Sequence, residues 1–506
     1  MQANPEFDAF ARRYGAGEAQ VVWTRLVADL ETPVSAMLKL AENKPYSFLL
    51  ESVEGGAIRG RYSFIGLNPD LIWRCQDDTS EINRTPDTAP DAYQPCDGSP
   101  LDTLRAVLAE SEIELPDGLP PMAAGLVGFM SYDMVRLMER LPDANPEVIG
   151  LPSGLFLRPT VIAVFDTIED TVTVVTPVRP DSAVDATAAY DAAIERLWQI
   201  VSDLGRALPH GGDAPVISDP PTPSSNMTRE EFHAMVERSK EYILAGDIFQ
   251  VVVSQRFEIP FKLPAFALYR ALRRLNPSPF LFFLNFDDFA IVGSSPEILV
   301  RLRDDTVTIR PIAGTRPRGK DAAEDEFYAK DLLADPKERA EHLMLLDLGR
   351  NDVGRVSEVG SVTVDEQFII EYYSHVMHIV SNVTGKIRPD HDALSALIAG
   401  FPAGTVSGAP KVRAMEIIDE LESERRGAYA GCIGYFGAGG DMDTCIALRT
   451  AVVKDEKVYV QAGGGIVADS DPESEYQESW NKARALMRAV EEAVRFAQEE
   501  DAKPKN

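Results

Sequence analysis

Between residues 32 and about 178, apolar and polar positions alternate in short runs, the period of strands that bury one face. Runs 47–53, 60–66, 71–75 and 123–132 read as strands, and 157–165 with 171–178 as a hairpin across an Asp-bearing turn. Residues 76–100, rich in Asp, Thr and Pro, read as a surface loop outside the core, and 180–208 as an Ala-rich helix behind a proline. Residues 211–226 (GGDAPVISDPPTPSSN) have little to bury and mark a linker. Thr228 to Glu231 then forms a capping box that opens a helix over 229–244. Strands resume at 249–259, 280–286, 290–293, 298–303 and 307–311, several joined by Asp-Asp turns that suit an antiparallel meander. The pattern predicts an α+β fold of two lobes, built on large antiparallel sheets flanked by helices. The lobes span 20–210 and 228–498, with 211–227 as linker and 499–506 as a disordered tail.

Composition narrows the partners. A chain of 506 residues with 50 basic and 80 acidic side chains carries a formal charge of -30, which disfavours nucleic acid and anionic membranes. A small anionic substrate needs a locally positive pocket or a bound cation. Cys75, Cys96, Cys432 and Cys445 lack CxxC spacing and read as idle thiols in a reducing compartment. No window is long and apolar enough to span a bilayer and no leader pattern opens the chain, so a cytoplasmic protein is expected.

Two helices open alike. Asp335-Pro336 precedes Glu338 and Glu341, and Asp471-Pro472 precedes Glu475 and Glu478, each glutamate pair at i,i+3 on one helix side. Lys482 follows Glu478 at i+4. One such start is explained by capping and the helix dipole; two imply a shared target. Facing carboxylates raise one another's pKa unless a cation joins them, and hard oxygen donors without a Cys or His cluster favour Mg²⁺ over zinc. His375 and His378 fall in a strand-like run that places them on opposite faces, which argues against zinc.

Arg449 lies in an alternating strand over 445–453 that turns into 458–462. Counting across that hairpin sets Arg449 opposite Gln461 or Ala462, beside Gly463, Gly464 and Gly465, where a guanidinium and unshielded backbone N–H groups can hold a carboxylate. The loop 402–411 (PAGTVSGAPK) resembles an anion loop at a helix start but lacks the nucleotide-binding spacing.

Seven stretches, PIAGTRPRG (311–319), KERAEHLMLLDLGRNDVGRV (337–356), SHVMHIVSNVTG (374–385), FPAGTVSGAPK (401–411), RGAYAGCIGYF (426–436), ALRTAVV (447–453) and QAGGGIVADSDPESEYQESWNKA (461–483), together resemble the chorismate-binding enzymes, and among them the anthranilate synthase large subunits. The resemblance implies conversion of chorismate and ammonia to anthranilate and pyruvate, with Mg²⁺ bridging the ring carboxylate to Glu341 and Glu478, supported by Glu475. It implies Glu338 as the acid for the departing C4 hydroxyl and His378 as an aid to pyruvate elimination. Arg449, Tyr429 and Gly463–Gly465 would hold the enolpyruvyl carboxylate, with Thr315, Thr405 and Lys482 completing the pocket. Water-using relatives carry a lysine base where this chain has Gln250, and aminodeoxychorismate synthases often carry lysine in place of Ala313. Leu50, Glu51, Ser52, Arg61, Tyr62, Asn276, Pro277, Ser278, Pro279 and Phe280 resemble the tryptophan feedback site. A separate glutamine amidotransferase subunit (component II) is implied as the ammonia source, making a hetero-oligomer. The competing readings are an aminodeoxychorismate synthase and a catalytically silent, amino-acid-sensing, Mg²⁺-binding relative.

Overall fold

Local chemistry sets the helix starts that matter for the site. Asp335 caps the helix Pro336–Gly354 through the amides of Lys337 and Glu338, and Asp471 accepts from the Ser474 amide at the start of Pro472–Asp501. Thr228 and Glu231 close the expected capping box on Arg229–Ala245. The computed structural model describes residues 2–41, 44–54, 58–143, 145–208, 222–373 and 376–501.

Two antiparallel strands, Ile58–Gln76 and Gly154–Asp166, are long enough to serve two sheets; they pair from Tyr62–Asp166 to Cys75–Gly154, with a register shift between Pro69 and Leu71. At one end the ladder runs outward through Ser47–Glu54, Phe280–Asn285, Phe289–Ser295, Thr450–Lys454, Lys457–Ile466 and Gln250–Pro260. On its other side Thr171–Val178 and Gln20–Val27 extend it. At the opposite end it runs through Gly125–Met130, Cys432–Gly437, Met442–Ile446, Ile298–Arg303, Thr306–Ile309 and Val376–Lys386. Ile312–Pro317 and Thr363–Tyr372 flank the last of these. Each sheet therefore takes strands from both sides of the 211–227 segment.

Phe48, Phe282 and Ile291 of the first sheet meet Phe129, Leu155 and Ile433 of the second in one apolar cluster between them. Helices cover the outer faces: Ala186–Leu204, Ala265–Leu275 and Pro472–Asp501 on the first, Pro336–Gly354, Ala393–Gly400 and Lys411–Leu421 on the second.

Several sequence expectations change. Runs 60–66 and 71–75 are one bent strand. Segment 76–100 is not all loop, because Thr79–Asn83 pairs with the long strand and buries Ile82. The last helix runs to Asp501, into the stretch expected to be disordered; 502–506 and most of the linker, 211–221, lie outside the described residues, as does His375. All four cysteines are free, and no described helix is long and apolar enough to cross a membrane.

A buried ion pair ties these layers together behind the site. Arg426 donates to both oxygens of Glu422, at 2.9 and 2.6 Å, and to the carbonyls of Val406 and Val252, each at 2.7 Å. Glu422 also accepts from the amide and hydroxyl of Ser254. Removing one member strands a buried charge, so Arg426→Ala is expected to cost about 3–5 kcal/mol in urea-unfolding free energy. A loss near zero would show the pair to be dispensable.

Candidate active site

Gly463–Gly465 lie in the strand Lys457–Ile466 and pair in continuous register with Ser254, Val253 and Val252. The run is thus regular sheet, not a loose bulge. Backbone requires the first glycine, because a Cβ on Gly463 would strike the Val253 carbonyl at 2.1 Å, whereas one on Gly464 would stand 2.9 Å from Glu475 Oε2, the end of a side chain that can shift. The neighbouring hairpin strand pairs only as far as Ala451–Val460, leaving one edge of the glycine run open.

That hairpin departs from the expected single strand over 445–453. Met442–Ile446 and Thr450–Lys454 are separate, and between them Arg449 takes φ +48°, a conformation uncommon for a side chain of its size. Arg449 thus leaves the ladder before it can face Ala462. Among the described residues its guanidinium has no carboxylate or carbonyl partner, and burial lowers its pKa from the usual arginine value. A deep, unpaired cation is an anion site by its chemistry.

The two acidic helix starts face one another. Glu341 lies within electrostatic reach of Glu338, Glu478 and Lys482, and its pKa is raised, by burial first. Glu475 is likewise raised by burial, with Glu478 adding to the effect. Lys482 pairs with Glu478 at 2.8 Å and donates to the Gly463 carbonyl at 3.0 Å, so it pins the acidic helix to the glycine strand. Tyr429 is 7% exposed, lies at the Gly463 amide, and has its hydroxyl pushed up to about 12 by burial. Gln250 donates to Glu341 at 3.2 Å.

His378 faces Thr315 across the strands Val376–Lys386 and Ile312–Pro317. Its Nδ1 lies 2.8 Å from the Gly314 carbonyl and 3.1 Å from the Thr315 hydroxyl. A carbonyl only accepts, so Nδ1 carries the proton and Nε2 keeps its lone pair. Burial lowers the His378 pKa to about 4, which keeps the ring neutral near pH 7. Glu338 departs from expectation in its company: its closest partner is Arg316, at 3.0 Å, and not the other carboxylates.

Three residues escaped the sequence reading. Arg316 binds Asp331, Asp335 and Glu338 together. Tyr373 packs edge-on to His378 at 5.3 Å and donates to Glu371 at 3.1 Å. Glu297 is 7% exposed, and burial pushes its carboxyl up to about 8. A lone glutamate after Ser-Pro gives no periodic signal; only burial marks it. Thr405 lines the same small cavity as Glu297.

A cavity of about 1140 Å³ opens between the sheets. Leu50, Glu51, Ser52, Arg61, Tyr62, Pro279 and Phe280 line it, and its far wall includes Glu371 and Tyr373. Asn276, Pro277 and Ser278 do not line it. Asn276 donates to Ser294, and Ser278 is 2% exposed; the three build the turn that delivers Pro279 and Phe280.

Residues 47–488 match the family described as chorismate binding enzyme. Anthranilate synthase component 1 of Cereibacter sphaeroides is 60% identical over 97% of this chain and 98% of its own, and that of Aquifex aeolicus 46% identical over 94% and 96%. The solved anthranilate synthase component I of Streptococcus pneumoniae superposes with TM-score 0.75 at 39% identity, covering 85% of this chain and 92% of that one. The menaquinone-specific isochorismate synthase of Escherichia coli, at 20% identity and TM-score 0.69 over 96% and 98% of the two chains, shares the fold. With the match spanning both sheets and every candidate-site residue, the chain belongs to the chorismate-binding enzymes, in the group of anthranilate synthase component 1 proteins.

Proposed function

We propose that this chain converts chorismate and ammonia to anthranilate and pyruvate, the first step of tryptophan biosynthesis, with ammonia supplied from glutamine by an amidotransferase subunit in a hetero-oligomer. The observation that carries the reading is Arg449: an unpaired, buried guanidinium beside a neutral histidine and a cluster of carboxylates. This arrangement suits a substrate with two carboxylates, one for the arginine and one for a metal. Ala313, 8% exposed and paired with Ile379, leaves no amine to act as a covalent nucleophile, which favours anthranilate over aminodeoxychorismate. The four free thiols suit a reducing compartment, and we place the enzyme in the cytoplasm.

The donor set fits Mg²⁺. Glu341 and Glu478, with Glu475 in support, offer hard oxygens, and the raised pKa values of Glu341 and Glu475 are what a cation would relieve. Among the described residues no three acidic, His or Cys side chains are grouped to ligate a metal by themselves, so water and substrate would have to complete the shell. Bound there, Mg²⁺ would act as a Lewis acid that holds the ring carboxylate and offsets the acidic cluster. Arg449, Tyr429 and the open glycine edge hold the enolpyruvyl carboxylate, with Lys482 and Thr315 at the rim. Gln250 is no base, so a water nucleophile goes unactivated, whereas ammonia brings its own lone pair. His378 Nε2 accepts the C2 proton as pyruvate leaves.

Two carboxyls compete to protonate the departing C4 hydroxyl. The resemblance implies Glu338, which is ion-paired with Arg316 at 3.0 Å. Glu297, with its pKa near 8, holds a proton at neutral pH, and we assign the acid to it.

The cavity between the sheets is the tryptophan site in this reading. Ligand there meets Tyr373, whose ring rests on His378, so a shift of that wall reaches the catalytic histidine directly.

Three measurements follow, all by anthranilate fluorescence with chorismate, Mg²⁺ and ammonium. Glu297→Gln should lower kcat by a factor of about 10²–10⁴ and exceed the loss from Glu338→Gln; the reverse order returns the acid role to Glu338. Because the acid form of Glu297 is present below its pKa and lost above it, kcat should fall as pH rises past about 8 at constant free ammonia; a profile flat to higher pH counts against Glu297. Ser52→Phe should fill the cavity and abolish inhibition by tryptophan while activity persists; retained sensitivity would displace the inhibitor site from this cavity.

A further inference from the structure

The two acidic helix starts are anchored separately. Arg316, on the strand Ile312–Pro317, holds the first through Asp335 and Glu338, at 2.9 and 3.0 Å. The second follows the glycine strand through a turn closed by the Ser470 amide on the Val467 carbonyl, at 3.0 Å. Lys482 ties it to the Gly463 carbonyl, and Lys240 donates to the Ser470 carbonyl at 2.9 Å. Neither set of anchors fixes the distance from one start to the other. Like charges meet across that distance, since Glu341 feels both Glu338 of its own helix and Glu478 of the other, so the carboxylates push the starts apart.

Across the gap Lys337 Nζ donates to Asp469 Oδ2 at 3.1 Å. Among the described residues this is the one ion pair or hydrogen bond that joins segment 335–341 to segment 469–478. Lys337 also lies within electrostatic reach of Glu341 and Glu475, so the bridge closes beside the carboxylates offered to the metal. Its two side chains are 61% and 69% exposed, whereas Glu341 and Glu475 are half-buried behind it. An ion pair so exposed adds little net stability, and it opens and closes readily.

We propose that the Lys337–Asp469 pair is a latch between the two helix starts: closed, it holds them at the separation at which Glu341 and Glu478 share one Mg²⁺; open, it releases them for the ion to enter or leave. The inference rests on the Mg²⁺ reading above. Lys337 and Asp469 are positioning residues in it, acting through the glutamates behind them, and neither touches the reacting atoms. A lysine acting only through its field would repel the cation, and an aspartate acting only through its field would attract it. The latch differs from both because it needs the two side chains together.

The test is a double-mutant cycle on the dissociation constant for Mg²⁺, read by titration calorimetry with magnesium chloride on the full chain without chorismate. Lys337→Gln, Asp469→Asn and the double variant are compared with the parent, with thermal melts as the fold control. Independent fields combine as the product of the two single changes, whereas a latch is lost once either partner is gone. The double variant should therefore bind Mg²⁺ about two- to fivefold more tightly than that product predicts. Should a variant not fold, Lys337→Ala and Asp469→Ala carry the same cycle. Agreement with the product to within about 1.5-fold overturns the latch and leaves two separate surface charges. Glu341→Gln identifies the site by abolishing the binding event; a parent that binds no Mg²⁺, or binding that survives Glu341→Gln, overturns the metal reading and the latch with it.

Discussion

The Arg426–Glu422 pair is the interaction from which the active-site geometry hangs. Each charge is buried, and each is fully engaged: Arg426 by Glu422 and by the carbonyls of Val406 and Val252, Glu422 by Ser254 as well. Those contacts are neighbours of the site. Val252 and Ser254 pair with Gly465 and Gly463, and Val406 follows Thr405. Arg426 also lies over the rings of Tyr132 and Tyr429, at 4.7 and 5.5 Å, so the tyrosine that reaches Gly463 is held from behind by the same cation. An apolar replacement could fill the volume, yet it could not fix the strand, the turn and the aromatic ring in one relative position.

With that frame fixed, the site is a balance of charges that the protein leaves open. Glutamates from two helix starts converge although the chain as a whole is strongly acidic, while among the described residues Arg449 has no carboxylate or carbonyl partner. Both conditions are unfavourable in isolation, and the proposed dianionic substrate with a divalent cation would resolve them together. Lys482 answers Glu478 and the Gly463 carbonyl, so it holds the second acidic helix against the glycine strand.

The paired long strands Ile58–Gln76 and Gly154–Asp166 carry a second consequence. Because they belong to both sheets, the space between the sheets is walled by residues far apart in sequence, with Ser52 and Tyr62 on one side and Glu371 and Tyr373 on the other. In the proposed reading, a ligand in that space would act on the separation of the sheets and, through Tyr373, on His378, so that regulation and catalysis would share a wall.

What the sequence determined was local. The Asp-Pro caps, the i,i+3 glutamates, the capping box at Thr228 and most strands follow from periodicity and capping chemistry, which act over a few residues. The string of motifs added the family and the membership of most of the site. What only the tertiary structure decided depends on contacts distant in sequence. Arg449 leaves its strand through a positive φ that alternation cannot announce, and Arg316 claims Glu338 across a loop. Burial alone raises Glu297, and Lys337 meets Asp469 only where the two helix starts face one another. Desolvation and the count of unmet hydrogen bonds are properties of packing, so they came into view only once the sheets had closed around these side chains.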